Sequence, residues 1–251
     1  MSLLAAARDR RRIPLRPRRR CYMRDTVRAI AFDLDNTLWD VEPVIARAEE
    51  RWIEWMREHC PRIPASLSLQ DMRLARQQLA AREPHRAHDF TYLRIASLAE
   101  HAREYGYGEE IAERAFEIFF AARNQIDLFG DVRPGLERLR ARFPLGTLSN
   151  GNADLGRIGL AEFFSVSLNA RGVGAAKPDR RCFEHLAREL QVAPEELLYV
   201  GDDPMLDVAA ARAVGLRTAW MNRSSVLWPA DLRGADINVR DCLELADRVG
   251  A

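Results

Sequence analysis

The sequence predicts an α/β fold: a doubly wound parallel sheet carrying an inserted helical domain. Three observations carry that expectation. Short apolar, partly β-branched runs alternate with stretches of helical period from residue 132 onward. Several of these runs stop at a cluster of Asp, Asn, Ser or Gly, and one long block of purely helical period separates the first run from all the others.

The first expected strand covers residues 27–32 (VRAIAF), apolar enough to be buried on both faces as parallel strands are, and it ends at Asp33. Residues 42–125 then switch to helical period. Ile45, Ala48, Trp52 and Trp55 share one face, and Ile111, Ala115, Ile118 and Ala122 share another, with 70–82 and 89–105 between them. Three or four helices are expected there. Pro134 suits the first turn of a helix over 134–142. Strand 145–148, a short helix near Leu155, strand 165–168, helix 179–190 and strand 197–200 follow. Helix 206–214, strand 218–221, a last strand near 236–239 and a closing helix complete the chain. β-α units of this length wind helices onto both faces of a sheet and leave ligands to bind beyond the carboxyl ends of its strands. The α/β core is therefore assigned to 24–40 and 131–251, and the helical cap to 41–130.

With 251 residues, 47% apolar and 30% charged, the chain can bury a real core, which excludes a disordered or disulfide-framed miniprotein. No run approaches the ~20 apolar residues of a membrane span. The four cysteines are scattered without a C-x-x-C pair, so neither a zinc site nor a disulfide framework is indicated, and a reducing cytoplasm is the expected compartment. Nine of the first 24 residues are Arg against a single acid, so that segment carries +8 and the remainder −7. The body gives no support to specific nucleic-acid binding. Residues 1–23 read as a solvated basic tail, able to touch nucleic acid or anionic lipid only through non-specific electrostatics. Lys177 is the only lysine among 38 basic residues.

Four clusters carry the chemistry: Asp33-Leu34-Asp35-Asn36-Thr37, Ser149-Asn150-Gly151-Asn152, Lys177-Pro178, and Gly201-Asp202-Asp203-Pro204 with Asp207 beyond. Three of them end expected strands, so carboxylates from two strands, a hydroxyl and the lone ammonium are brought to one edge. Two carboxylates ~4 Å apart repel by about 4 kcal/mol at an effective dielectric of 20, so several of them require cations. An all-oxygen donor set without Cys or His selects a hard ion, and Mg²⁺ is the common solution. With Lys177 as a second positive charge, such a site lets the anionic Asp33 attack an anionic phosphoryl group. Each cluster alone is also an ordinary turn or helix cap. Their conjunction and order point to a site.

These motifs, D-x-D-x-T, a strand-terminal Ser, Lys-Pro and G-D-D-x-x-x-x-D, resemble the four signatures of the haloacid dehalogenase superfamily, with the helical block at the position of its first cap type. The resemblance implies that Asp33 is the nucleophile forming an aspartyl-phosphate and that Asp35 is general acid and then base. It further implies that Thr37 steadies Asp35, that Ser149 hydrogen-bonds the phosphoryl oxygens and that Lys177 offsets charge, with Ser149, Asn150 and Lys177 as the substrate-binding residues. Mg²⁺ would be held by Asp33, the Asp35 carbonyl and Asp202, with Asp203 and Asp207 behind them. The pair Asp35 and Asp202 favours phosphatase chemistry on a small phosphorylated metabolite over 2-haloacid dehalogenation. A binding module with a relic site is the third reading. Residues 149–152, 199–208 and 218–221 are similar to a bacterial subgroup acting on flavin mononucleotide and a phosphorylated riboflavin precursor.

Specificity is expected from the insertion, with Trp39, Asp40 and Glu42 at its entry and 124–131 at its exit. Trp39 reads equally as core or as a flap over the site. Trp52 and Trp55 read as insertion core, and His85 and His88 as solvent-facing loop residues. A monomer or a homodimer is expected.

Overall fold

The protein is described by a computed structural model over residues 26–251; the basic tail expected at 1–23 lies outside the described residues. Strand β1 (Ala29–Phe32) is followed by five helices: α1 (Val41–His59), α2 (Arg62–Ser66), α3 (Leu69–Arg82), α4 (Phe90–Glu104) and α5 (Ile111–Arg123). The alternating part then runs α6 (Val132–Arg140), β2 (Leu145–Ser149), α7 (Leu155–Ile158), β3 (Val166–Asn169), α8 (Ala170–Val173), α9 (Arg180–Glu189) and β4 (Leu197–Gly201). A π-helical turn (Pro204–Ala209) leads into α10 (Ala210–Ala213), then β5 (Arg217–Met221), β6 (Ile237–Val239) and α11 (Cys242–Val249).

All six strands are parallel, in the order β3-β2-β1-β4-β5-β6. The order reverses between β1 and β4, and the crevice beyond that switch point is where such sheets bind ligands. Side chains alternate across β1. Ile30 and Phe32 pack with Leu136 and Leu139 of α6 and Leu245 of α11, while Ala29 and Ala31 face Phe183 and Leu186 of α9 on the opposite side. The alanines leave room for the aromatic ring of Phe183, which meets Tyr199 edge-on with centroids 5.1 Å apart.

The helical insertion has a core of its own, in which Trp52, Met56, Met72, Leu98, Phe116 and Phe119 interdigitate. Its start is fixed by Asp40, whose carboxylate accepts the Glu42 N–H at 3.0 Å as the N-cap of α1. The entry residue Asp40 thus serves the helix end. Trp55 lies at the edge of the insertion core: it is half-buried, packs against it and stacks on His59 with centroids 4.2 Å apart. The insertion sits over the carboxyl edge of the sheet, held by Asn152 to Thr91 (3.1 Å), Asp154 N–H to Asn124 (2.7 Å) and the Arg171–Asp89 ion pair (3.3 Å). The helix expected over 206–214 begins instead as the π-helical turn, a winding that recurs at functional sites.

Candidate active site

Lys177 is the hub. Its Nζ donates to Asp33 Oδ1 at 2.6 Å, Asp207 Oδ1 at 2.6 Å and Tyr199 Oη at 3.0 Å, using all three ammonium protons. Tyr199 passes its own proton to the Leu148 carbonyl at 2.7 Å. The main chain of Lys177 is clamped by the Asn150 side chain, which donates to the Lys177 carbonyl at 2.9 Å and accepts its N–H at 2.7 Å. Asn150, expected as a substrate-binding residue, spends both ends of its amide on that clamp instead.

Three carboxylates, two of them buried and Asp202 half-buried, share this volume with one ammonium: Asp33, Asp202 and Asp207 each place an oxygen within 4.8 Å of the others. Burial, with Asp207 and Asp35 nearby, lifts Asp33 well above the usual carboxylate range against the pull of Lys177. Burial would lower Lys177, but Asp207 and Asp33 outweigh it and hold the ammonium well above its ordinary value. Burial and then Asp207 push Asp202 up to about 6.

The cluster fits a hard cation. Asp33 and Asp202 each accept a hydrogen bond on Oδ1, from Lys177 and from the Thr37 hydroxyl (3.2 Å) respectively, and Asp33 keeps an Oδ2 with no donor among the described residues. Both oxygens of Asp207 are engaged, Oδ1 by Lys177 and Oδ2 by the Asp203 N–H at 3.0 Å. Gly201 makes that possible, since a Cβ there would lie 2.2 Å from Asp207 Oδ2. Asp203 points elsewhere, its Oδ1 capping the N–H groups of Met205 and Leu206 at 2.7 and 2.8 Å. Of the adjacent pair, Asp202 joins the cluster.

Thr37 was expected to steady Asp35; its hydroxyl reaches Asp202 because the turn after β1 carries Asn36 in the left-handed region, at φ 60°. Asp35 is held by other groups. Arg123, at the end of α5 and 2% exposed, donates one Nη2 to both of its oxygens at 2.7 and 2.8 Å, and the buried Trp39 indole N–H adds a third bond at 2.8 Å. Trp39 is therefore a buried support beneath Asp35 and not a flap. Ser149 is buried and accepts the Gly151 N–H at 3.1 Å. Gly151 lies so close that a Cβ would stand 2.8 Å from Asp35 Oδ2.

Between core and insertion lies a cavity of about 660 Å³, lined at one end by Asp33, Ser149, Lys177 and Asp202 and at the other by insertion side chains including Glu49, Arg76, Arg94 and Phe119. Trp52, Trp55, His85 and His88 are not among its lining residues. Of the exit segment, Asp131 serves the core: it pairs with both ends of the Arg223 guanidinium at 2.9 Å, and Arg223 Nε in turn donates to the Thr37 carbonyl at 2.8 Å.

Residues 27–215 match the family described as haloacid dehalogenase-like hydrolase, three quarters of the chain. The protein is a haloacid dehalogenase-like hydrolase. It is 33% identical over 199 residues to 5-amino-6-(5-phospho-D-ribitylamino)uracil phosphatase YigB of Escherichia coli, covering 78% of this chain and 83% of that protein. It is 30% identical over 236 residues to phosphoglycolate phosphatase of Chromobacterium violaceum, covering 88% and 96%. Among solved structures, a 2-haloacid dehalogenase from Pseudomonas syringae pv. Tomato DC3000 superposes with a TM-score of 0.85 at 33% identity, covering 89% of this chain and 98% of that one. No helix among the described residues is long and apolar enough to cross a membrane.

Three contributors to this hydrolase site were not singled out in the sequence. Arg123 follows the apolar face of α5 (Ala112, Ala115, Phe116, Phe119), where a terminal Arg reads as an ordinary complement to the helix dipole. Tyr199 looks like a strand aromatic. Arg94 falls on the buried face of α4 beside Leu93, Ser97 and Leu98, a placement that periodicity alone could have flagged.

Proposed function

We propose that the protein is a Mg²⁺-dependent phosphatase of small phosphomonoesters working through an aspartyl-phosphate on Asp33. The observation that carries this reading is the pair of carboxylates on the same turn with different surroundings. Asp33 is buried against Lys177 at the foot of the cavity, and Asp35 stands beside it as a second proton-handling group.

In this reading an Asp33 oxygen attacks phosphorus, the bond to the ester oxygen breaks, and Asp35 gives its proton to the departing alcohol. Asp35 then takes a proton from the water that attacks the phosphoryl group, releasing phosphate and restoring Asp33. Both oxygens of Asp35 accept hydrogen bonds in the described arrangement, which is the geometry of the proton-accepting stage. Lys177 holds Asp33 in place and offsets its charge, and the Ser149 hydroxyl, whose oxygen takes the Gly151 N–H, keeps its own proton for a phosphoryl oxygen. Thr37 orients Asp202. Asp33, Asp202 and the Asp35 carbonyl would hold a Mg²⁺, which would supply the positive charge that lets an anionic nucleophile meet an anionic substrate.

The resemblance at residues 149–152, 199–208 and 218–221, together with the Escherichia coli relative, supports the phosphorylated ribitylamino-uracil or flavin mononucleotide as substrates; the Chromobacterium relative supports phosphoglycolate. A reducing cytoplasm fits the buried free thiols Cys60, Cys182 and Cys242.

The test is hydrolysis of p-nitrophenyl phosphate with and without EDTA, followed by a screen of these three substrates and sugar phosphates. Turnover that survives EDTA, or that survives Asp33→Ala, overturns the proposal. The likeness to the Pseudomonas structure favours 2-haloacid dehalogenation as the second reading, and halide release from 2-chloropropionate without phosphate release would establish it.

A further inference from the structure

The insertion end of the cavity differs chemically from the catalytic end. Glu49 of α1 is buried there, ion-paired with Arg73 and lying 3.8 Å from Arg76, both on α3. Arg94 of α4 lines the same end. One carboxylate thus faces three guanidinium groups, while the neighbouring Arg123 is matched by Asp35.

Arg94 is the unmatched member. It forms no ion pair with any described residue, its guanidinium stands 3.5 Å from the Phe119 ring centroid and 5.3 Å from that of Trp52, and its Nη1 is buried without a hydrogen-bond partner. Burial and then the nearby Arg76 lower its pKa to about 9, and the attraction of Glu49, already paired with Arg73, offsets only part of that. Packing on Phe119 accounts for the ring faces of this side chain but leaves the donors and the surplus charge unexplained. A desolvated guanidinium is strongly stabilised by an oxyanion that enters its fork, and Arg is the side chain best shaped for that.

We propose that Arg94, with Arg76, forms a subsite for a negatively charged oxygen group on the alcohol portion of the substrate. The favoured substrates are then phosphomonoesters whose leaving group itself carries a carboxylate or a second phosphate. The inference rests on the phosphatase reading and adds to it which alcohols are accepted. It also separates the substrates named for the relatives, since phosphoglycolate has such a carboxylate and the ribitylamino-uracil ester does not.

The test uses matched esters of two lengths: glycerol 3-phosphate against 3-phosphoglycerate, and phenyl phosphate against 4-carboxyphenyl phosphate, with 1,4-phenylene bisphosphate as the second-phosphate arm. The expected result is a preference of about tenfold or more in kcat/KM for the anionic member of at least one set, carried mainly by KM. The arm preferred within the phenyl set names the oxyanion. In Arg94→Met the preference falls to near one, and Arg94→Lys keeps part of it. Equal kcat/KM across every set in the wild type, or a preference unchanged in Arg94→Met, overturns the proposal. If Arg94→Met does not fold, Arg76→Met reads the same ratio. Should p-nitrophenyl phosphate itself resist hydrolysis, the phosphatase reading fails separately. Calorimetric binding of 4-carboxyphenyl phosphate against phenyl phosphate to Asp33→Asn then still decides the subsite.

Discussion

Replacing Lys177 with Met tests the electrostatic account of the site directly. The ammonium bridges Asp33 and Asp207, each at 2.6 Å, and these carboxylates lie in a cluster whose oxygens are within 4.8 Å of one another. At that separation two charges repel by about 3.5 kcal/mol at an effective dielectric of 20. Removing one member of a buried ion pair costs about 3–5 kcal/mol, and the two figures agree. Lys177→Met should therefore lose about 3 kcal/mol in urea unfolding at pH 7 without divalent ions, together with phosphatase turnover. Asp207→Asn placed on top should recover a large part of the stability, because it deletes one of the two orphaned charges, and should recover none of the activity. A Lys177→Met protein as stable as the wild type, or a double variant no more stable than the single one, would refute the reasoning.

Three further outcomes follow from the same geometry. Millimolar Mg²⁺ should raise the thermal midpoint of the wild-type protein, and Asp202→Asn should abolish most of that rise; an equal rise in both proteins, read by calorimetry, counts against the cluster as the ion's site. Arg123→Met should lower kcat by about 10- to 100-fold by freeing Asp35, and Arg123→Lys should not restore it, since a lysine ammonium ends one bond short of the Nη2 that bridges both oxygens; full activity in either variant excludes the positioning role. Asp131→Asn should cost about 1–3 kcal/mol at neutral pH. Burial alone would raise Asp131, but hydrogen bonds from Arg223 and the Cys242 N–H hold it below the usual range, so its contribution is present above the unfolded pKa near 4 and lost as pH falls through the folded value. Unfolding curves of the two proteins should converge in acid, and a gap independent of pH would contradict the clamp.

The sheet was legible because parallel strands are short apolar runs and because function interrupts them at one end only. Each cluster at a strand end is polar where packing would favour Val or Leu, and that contrast marks the site. Hydrogen-bond partners were less legible. Thr37 reaches Asp202 instead of Asp35, and Asn150, expected to bind substrate, clamps Lys177, because such choices depend on ångström-scale turn geometry that residue type leaves open. Arg123 and Arg94 escaped notice for a different reason. An arginine on a helix reads as a surface residue in this Arg-rich chain; the packing of the insertion's own helices turns Arg94 inward, and the docking of the insertion over the sheet brings Arg123 to Asp35.

That docking also gives the cavity its polarity. Its core end holds three carboxylates against one ammonium, its insertion end holds a surplus of guanidinium, and the Asp35–Arg123 pair forms the seam between them. A phosphate dianion is repelled from the core end unless a cation enters with it, since each additional charge within ~4 Å of a carboxylate costs several kcal/mol at moderate dielectric. The insertion end attracts anions without any such help. An anionic ester would accordingly gain its first hold on the arginines of α3 and α4, and its phosphoryl group would become a ligand of the core end only when the metal charge is present. On the proposed function the two ends would divide the work, one reading the alcohol and the other performing the transfer, with Asp35 at the seam between them.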